Sequence, residues 1–541
     1  MIDVHNHLFN GSDLPTVRFI KIVVLAHYPK QSIRTLDIDD PDTLDGLLAL
    51  FTWIVGRTKA PSADEEIAVL RGRRALVRNL QTTENEDAVV SAVATFSAVG
   101  AMGVSDENSA KGVRKIRRAI LKAAGEDSLA VSDKDLTDQE ANLIARKAYR
   151  SKFDLGLMLR WFGLFTRYRY SLADQLAADH ARQGFKPLLL CPAMIDYDNW
   201  LGEHVEKSPL PAQVKVMGEL SRRRAGPAVH GYVGFDPLRQ VLFDEARFSK
   251  YNPLDLVRTA IRDEGFLGVK LYPPMGFRAI GNASEVCQTY PDDAIFKSLL
   301  SGQPDDPRTK GCNPRPADGS VRVSEKLDGA MNRLFSLCVA EDACVIAHAN
   351  DSNGAAKEFS HRADPEYWIS AFKAFPRLRV CLAHFGHFAS RSAGAPDGTV
   401  LPEASWEWTL GRYLSSKPNS HVFADVSFLT EIFDQSPDEL TNYTKTMRRW
   451  ISEFDPECRQ LMFGTDWTML GTSSSYDHFA SGLYEYFRTS VGLSADQLSR
   501  LFVGNAVVFL GLRRGDPSRK RLLGFYAKNK LPASRLPDFE A

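Results

Sequence analysis

Short apolar runs that each stop at a polar or titratable residue recur through this chain, and they restrict its fold more than any other feature. The runs are Ile2–His7, Pro187–Ile195, Ala228–Phe235, Leu267–Leu271, Cys344–His348, Arg379–His384, His421–Val426 and Leu461–Asp466. From the second onward most are separated by about 35 to 45 residues, with helical signals between them, as from Asn252 to Arg262. Strands alternating with helices imply a parallel sheet, and eight such units imply a closed (β/α)8 TIM barrel of the α/β class. Chemistry in such barrels sits where the strands end. The titratable residues fall at those ends here.

The first and second runs are about 180 residues apart, far beyond an ordinary crossover, so a large insertion follows the first strand. Its stretches Leu44–Val55, Ile67–Leu80, Ala88–Val99, Val113–Ala124 and Asn142–Phe165 show helical spacing. Thr137 to Glu140 reads as a capping box. The spacing predicts a helical subdomain over residues 42–170 on the catalytic side of the barrel. Residues 282–328, rich in Gly, Pro, Asp and Asn, read as a loop insertion. Residues 513–541 read as a basic C-terminal tail, a solvated surface end carrying Arg513, Arg514, Arg519, Lys520 and Arg521.

Composition narrows the function classes. Lys plus Arg (67) equals Asp plus Glu (67), so no global field draws the chain to nucleic acid or an anionic membrane. A small-molecule substrate is the expected partner, with homo-oligomerisation left open. The 7 cysteines are scattered and never spaced C-x-x-C, which argues against a disulfide framework or zinc knuckle and for a reducing compartment. The chemistry-bearing stretch begins at Asp3, leaving no room for a leader ahead of it, and the expected location is cytoplasmic. The most apolar run, Leu44–Val55, is too short to span a bilayer.

Residues two apart on a strand share a face, so His5 and His7 present two imidazoles to one point. Alone that pattern is weak, since a hydrogen-bonded core pair gives it too. His348 and His384 each end a further apolar run, and Asp466 ends another. Separate strands thus deliver N and O ligands to one mouth.

In Asp3-Val-His-Asn-His7, Gly268-Val-Lys-Leu-Tyr-Pro273, Val345-Ile-Ala-His348, Cys381-Leu-Ala-His384, Gly464-Thr-Asp466 and the closing helix Leu501-Phe-Val-Gly-Asn-Ala506, the chain resembles the metal-dependent amidohydrolase superfamily. The resemblance is to the branch without an added β-sandwich, which includes aminocarboxymuconate semialdehyde decarboxylase and its relatives. It covers residues 1–10 and 186–512 and says nothing of the helical insertion. It implies that His5, His7, His348 and Asp466 ligate a metal, with Asp466 also catalytic and His384 either catalytic or a second-metal ligand. Three imidazoles and one carboxylate suit Zn²⁺ and leave a position for water, whose pKa then falls toward about 7.

The expected function is a metal-dependent hydrolase in which a metal-activated water attacks a C–N or C–O bond of a small organic substrate. A nonoxidative decarboxylase of a small carboxylic acid with the same metal site is the alternative, and a non-catalytic binding or assembly barrel a further one. Arg278, Tyr272 and Trp467 are the candidate substrate contacts, with Tyr197 and Asp198 weaker ones. Asp425 and Ser427 read as pocket-lining residues or partners of a ligand histidine. His387 reads as helix-start packing, and His230, at the wrong end of its strand, as structural. The remaining histidines, His27, His180, His204, His361, His421 and His478, read as surface or satisfied core. Lys270 stands inside an apolar run, where a buried ammonium is costly unless paired or neutralised. It is expected to pair with Asp466 or a substrate carboxylate at a one-metal site, the favoured case. The alternative is a carbamate on Lys270 bridging two ions, with His348 and His384 on the second.

Overall fold

A computed structural model describes residues 1–15, 19, 60–71, 160–161, 163–196, 198–245, 249–284, 323–350, 357–388, 402–417 and 420–539. Its strands are β1 (Ile2–Asn6), β2 (Leu189–Pro192), β3 (Ala228–Val229), β4 (Tyr232–Gly234), β5 (Gly268–Leu271), β6 (Cys344–His348), β7 (Val380–Ala383), β8 (Val422–Asp425) and β9 (Leu461–Met462). All pair in parallel, in the orders β1-β2-β3 and β4-β5-β6-β7-β8-β9. β3 and β4 are one stave broken at His230 and Gly231. A bridge from Ala193 to Tyr232 joins the two sheets on one side, and a bridge from Asn6 to Trp467 joins them on the other. The eight staves therefore close into a ring, and each predicted apolar run contains one of them.

The strands are short and buried on both faces, as parallel staves wrapped in helices must be. Alternation sorts their side chains. Leu189, Cys191, Tyr232, Cys344, Ile346, Cys381, Ala383, Phe423 and Met462 fill one core, while Leu190, Val233, Val269, Leu271, Val345, Ala347, Val380 and Leu382 pack with the surrounding helices in another. The Asn252–Arg262 signal is realised as helix Pro253–Asp263, whose first turn is capped by the Asn252 side chain accepting from the Leu254 N–H.

β1 breaks the alternation. Ile2 and Val4 belong with the interior residues, so strict parity would turn His5 and His7 outward. The register against β2 shifts between Asp3 and Asn6, from Asp3 opposite Leu190 to Asn6 opposite Pro192. One extra residue is thus accommodated, which swings His5 and His7 to the inside and leaves Asp3 behind on the outer face.

The C-terminal residues correct the reading of a solvated tail. Pro517–Lys528 is a helix whose Leu522, Phe525 and Tyr526 join Val507, Phe509, Leu510 and Leu512 in the interior core cluster. Tyr526 Oη lies 2.7 Å from His230 Nε2, and His230 Nδ1 donates to the Gly265 carbonyl at 2.8 Å. Even Arg519 is buried, donating to the Leu512 and Pro537 carbonyls. The signal was present in the sequence as the apolar residues between the basic ones. His230 is structural, as read.

Most of the 42–170 insertion, including its predicted capping box, lies outside the described residues, as do residues 285–322 of the loop insertion. Within the former, Ala63–Arg71 is helical. It is fixed by a buried cluster in which Arg169 donates to Asp13 and Glu66, both at 2.9 Å. Helix Val323–Ala340 begins inside the stretch read as loop. No helix among the described residues is long and apolar enough to cross a membrane.

Two outcomes follow. Truncation after Leu512 removes the buried side chains of Leu522, Phe525, Tyr526, Leu531 and Leu536, each contributing about 1.5–3 kcal/mol, against a typical total stability of about 5–15 kcal/mol. The truncated chain should melt far below the full chain in calorimetry, whereas loss of a solvated tail would leave the melting temperature unchanged. Burial holds the His230 pKa down at about 4, below the unfolded value of about 6.5. The unfolded chain therefore takes up the proton first as pH falls, and stability present above about pH 6.5 is lost toward pH 4. In His230→Gln, less stable at neutral pH, denaturant titrations should show an acid slope shallower by up to about 1.4 kcal/mol per pH unit in that window.

Candidate metal centre

The strand ends opposite this base carry the candidate ligands, and the seam between β1 and the end of β9 sets their spacing. The N–H groups of Thr465 and Asp466 both donate to the His5 carbonyl, at 2.9 and 2.7 Å, and the His7 N–H donates to the Trp467 carbonyl at 3.1 Å. On the outer face Asp3 receives the Thr465 hydroxyl (2.8 Å) and N–H (3.1 Å) and lies 3.2 Å from His180 Nε2. Gly464 is required at this seam, because a Cβ there would stand 2.9 Å from His5 Cβ.

Each imidazole is fixed from behind. His7 Nδ1 lies 2.7 Å from the Ala193 carbonyl, which can only accept, so Nδ1 carries a proton. His384 Nδ1 lies 3.3 Å from the Ser427 carbonyl and 3.0 Å from its hydroxyl, which likewise puts a proton on Nδ1. The Ser427 hydroxyl gives its own proton to Asp425 Oδ1 at 2.5 Å. His5 Nδ1 faces Ser427 Oγ at 3.0 Å and Asp425 Oδ2 at 3.2 Å. Asp425 and Ser427 therefore orient two histidines at once.

The ε nitrogens then converge. His7 Nε2 stands 2.9 Å from Asp466 Oδ1, and His5 Nε2 stands 3.8 Å from the same oxygen and 2.9 Å from Lys270 Nζ. One donor atom from each of His5, His7 and Asp466 lies within 4.8 Å of the others, and so does one from each of His5, His384 and Asp425. The His348 ring packs 4.5 Å from those of His384 and Tyr272, and its buried Nε2 has no hydrogen-bond partner among the described residues. A ring nitrogen facing a carboxylate at 2.9 Å, beside the unsatisfied buried nitrogen of His348, calls for a positive charge between them, which a proton or a metal ion can supply. Donor atoms sharing a tetrahedral ion at about 2 Å stand roughly 3.3 Å apart, so this donor set fits a divalent cation.

Electrostatics agree. Burial lowers His5, pushes His384 down to about 3 and drives His348 well below the ordinary histidine value, so these three imidazoles are neutral, as ligands must be. Burial would raise Asp466, but its contact with His7, Nε2 to Oδ1 2.9 Å, outweighs that and holds the carboxyl at about 2. Burial brings Lys270 down to about 8, against the pull of Asp466 and Asp425. His384, Asp466 and Thr468 have φ of 67°, 55° and 79°, a left-handed conformation that costs about 1–3 kcal/mol per residue. That cost is met by the seam and by Glu407, which accepts from the N–H groups of Gly386 and Phe388 just past His384.

A family model described as Amidohydrolase matches residues 251–512. Over these residues the chain is similar to that family. The match takes in Lys270, His348, His384 and Asp466, and β1 with His5 and His7 lies outside it. An amidohydrolase from Burkholderia multivorans, solved with zinc bound, is 16% identical, covering 65% of this chain and 91% of its own, with a TM-score of 0.36. A Pseudomonas putida protein provisionally described as a 2-pyrone-4,6-dicarboxylic acid hydrolase is 15% identical over 62% of this chain and 86% of its own, with a TM-score of 0.32. A Lactobacillus casei protein provisionally described as a metal-dependent hydrolase is 12% identical over 98% of this chain and 96% of its own, with a TM-score of 0.33. No curated protein matches the chain.

Within the barrel the other predicted residues divide. Tyr272 reaches the centre through its ring contact with His348. Trp467 is buried with its indole N–H on Asp179 (3.2 Å) and Tyr476 (3.1 Å), which makes it a support of the Asp466 turn. Arg278 lies over the Tyr367 ring, 3.7 Å from its centroid. Asp198 is ion-paired with Arg239, and Tyr197 lies outside the described residues. His387 pairs with Glu431.

The purified protein should carry about one divalent ion per chain by elemental analysis. His5→Ala combined with His7→Ala should lower metal affinity at least about 100-fold while leaving the fold intact by circular dichroism, because these side chains line a mouth and do not fill the core.

Proposed function

We propose that the protein is a metal-dependent hydrolase that adds water across a C–N or C–O bond of a small organic substrate. The observation that carries this reading is the convergence of the His5 and His7 ε nitrogens on the ionised Asp466 carboxylate at the barrel mouth. His5, His7, His348 and Asp466 would hold a divalent ion, with zinc, the metal bound in the Burkholderia relative, as first choice. Such an ion supplies Lewis acidity, acidifying water and polarising a substrate oxygen.

The chain's own groups do the rest. Asp466, held ionised by His7, accepts the proton that the attacking water gives up. His384, protonated on Nδ1 and bare on Nε2, acts as an acceptor that orients water or takes a proton. It is not the donor that would stabilise negative charge on the substrate. Tyr272, stacked on His348, forms one wall of the mouth.

Lys270 favours a second reading strongly enough to need its own test. A pKa of about 8 leaves a sizeable neutral fraction near neutral pH, and only the neutral amine adds CO₂ to form a carbamate. We favour one ion, with the Lys270 ammonium pairing Asp466 or a substrate carboxylate. Metal titration of the apo-protein should saturate at one tight ion regardless of bicarbonate. Two ions, bicarbonate-dependent activity and rescue of Lys270→Ala by short carboxylates would establish the bridged centre instead.

Asp466→Asn should lower kcat by about 10²–10⁴-fold in a substrate screen that scores both ring or amide hydrolysis and CO₂ release. Turnover confined to CO₂ release would replace hydrolysis with decarboxylation at the same residues.

A further inference from the structure

The closing segment around Leu501–Ala506 contributes no group to the mouth, yet its backbone departs from a regular helix at the point nearest the strand that delivers Asp466. Between helices Ala495–Ser499 and Asn505–Leu510 the chain makes a π turn over Arg500–Gly504. The Asn505 N–H, which in an α-helix would bond Leu501 O, reaches back five residues to Arg500 O. The Leu501 carbonyl accepts instead from the Phe463 N–H at 2.8 Å. The Asn505 side chain, itself buried, donates to two more carbonyls at the start of that strand, Leu461 at 2.6 Å and Cys458 at 2.8 Å.

These three bonds matter because β9 is only two residues long. From Phe463 the connection runs directly into the site: Val4 N–H donates to Phe463 O at 3.2 Å, and Thr465 and Asp466 then bind the His5 carbonyl. A slip at Leu461–Phe463 would carry Asp466 away from His7 Nε2. We infer that Asn505, together with the π turn, is a positioning residue that sets the register of β9 and through it the place of the Asp466 carboxylate among the metal ligands. This rests on the metal reading given above, and the test separates the two.

Apo-protein of the full chain is titrated with Co²⁺, whose visible spectrum reports ligand geometry. Asn505→Asp keeps the size but removes the two donors, and Asn505→Ser is a milder variant. Tyr526→Phe, at the opposite end of the barrel, is the stability control. We expect the Asn505 variants to bind Co²⁺ at least about tenfold more weakly and with altered visible bands while Tyr526→Phe keeps the wild-type spectrum and affinity. Amide exchange over 461–466 should also be faster in folded Asn505→Ser than in the control at equal melting temperature. Folded Asn505 variants with wild-type spectrum and wild-type exchange would overturn the inference. So would equal changes in Tyr526→Phe. If the wild-type protein binds no Co²⁺, the metal reading fails and the exchange comparison alone decides the role of Asn505.

Discussion

The seam where the first strand meets the last governs this molecule. It joins residues more than 450 positions apart with backbone bonds from Thr465 and Asp466 to His5 and from His7 to Trp467. Ring closure and ligand placement are thus one event: the bonds that remove the last sheet edges also set Asp466 against His7. The outer face of the same seam is held by Asp3, Thr465 and His180 where helix Arg169–Arg182 covers it. A seam built this way brings residues from the two ends of the chain into one centre, and it leaves large segments between staves free to vary without disturbing that centre.

Much of this was legible in the sequence because apolar runs and their terminal residues are local signals. Each of the eight runs holds a stave, and His5, His7, His384 and Asp466 meet at one mouth, with His348 packed against His384. What was not legible is non-local. Counting along β1 assigns Val4 and His5 to opposite faces, and only the register shift against β2 puts both inside. Trp467 reads as a substrate contact because it follows Asp466, but the left-handed conformation at Asp466 and Thr468 turns the chain so that the indole finds Asp179 and Tyr476. The C-terminal segment reads as a solvated tail by its charges, whereas Leu522, Phe525 and Tyr526, on one helix, bury it against the barrel. Arg519 is buried because its guanidinium finds the Leu512 and Pro537 carbonyls and the Asp538 carboxylate.

The two ends of the barrel solve opposite problems with the same residue type. At the base, His230 has both ring nitrogens engaged, by a carbonyl and a tyrosine hydroxyl, and a layer of apolar helix seals it. Nothing there is left to bind. At the mouth, Ala193, Ser427 and Asp425 hold His5, His7 and His384 on Nδ1, the ε nitrogens of His5 and His7 face Lys270 and Asp466, and that of His348 has no hydrogen-bond partner among the described residues. Buried nitrogens with bare lone pairs, beside two carboxylates and one lysine, cost the apo-fold free energy that a cation would return. The base must supply that stability. This explains why the residues after Leu512 are packed so heavily into the end of the barrel farthest from the chemistry: a mouth kept unsatisfied requires a floor with no unsatisfied group at His230 and a full apolar layer beneath it.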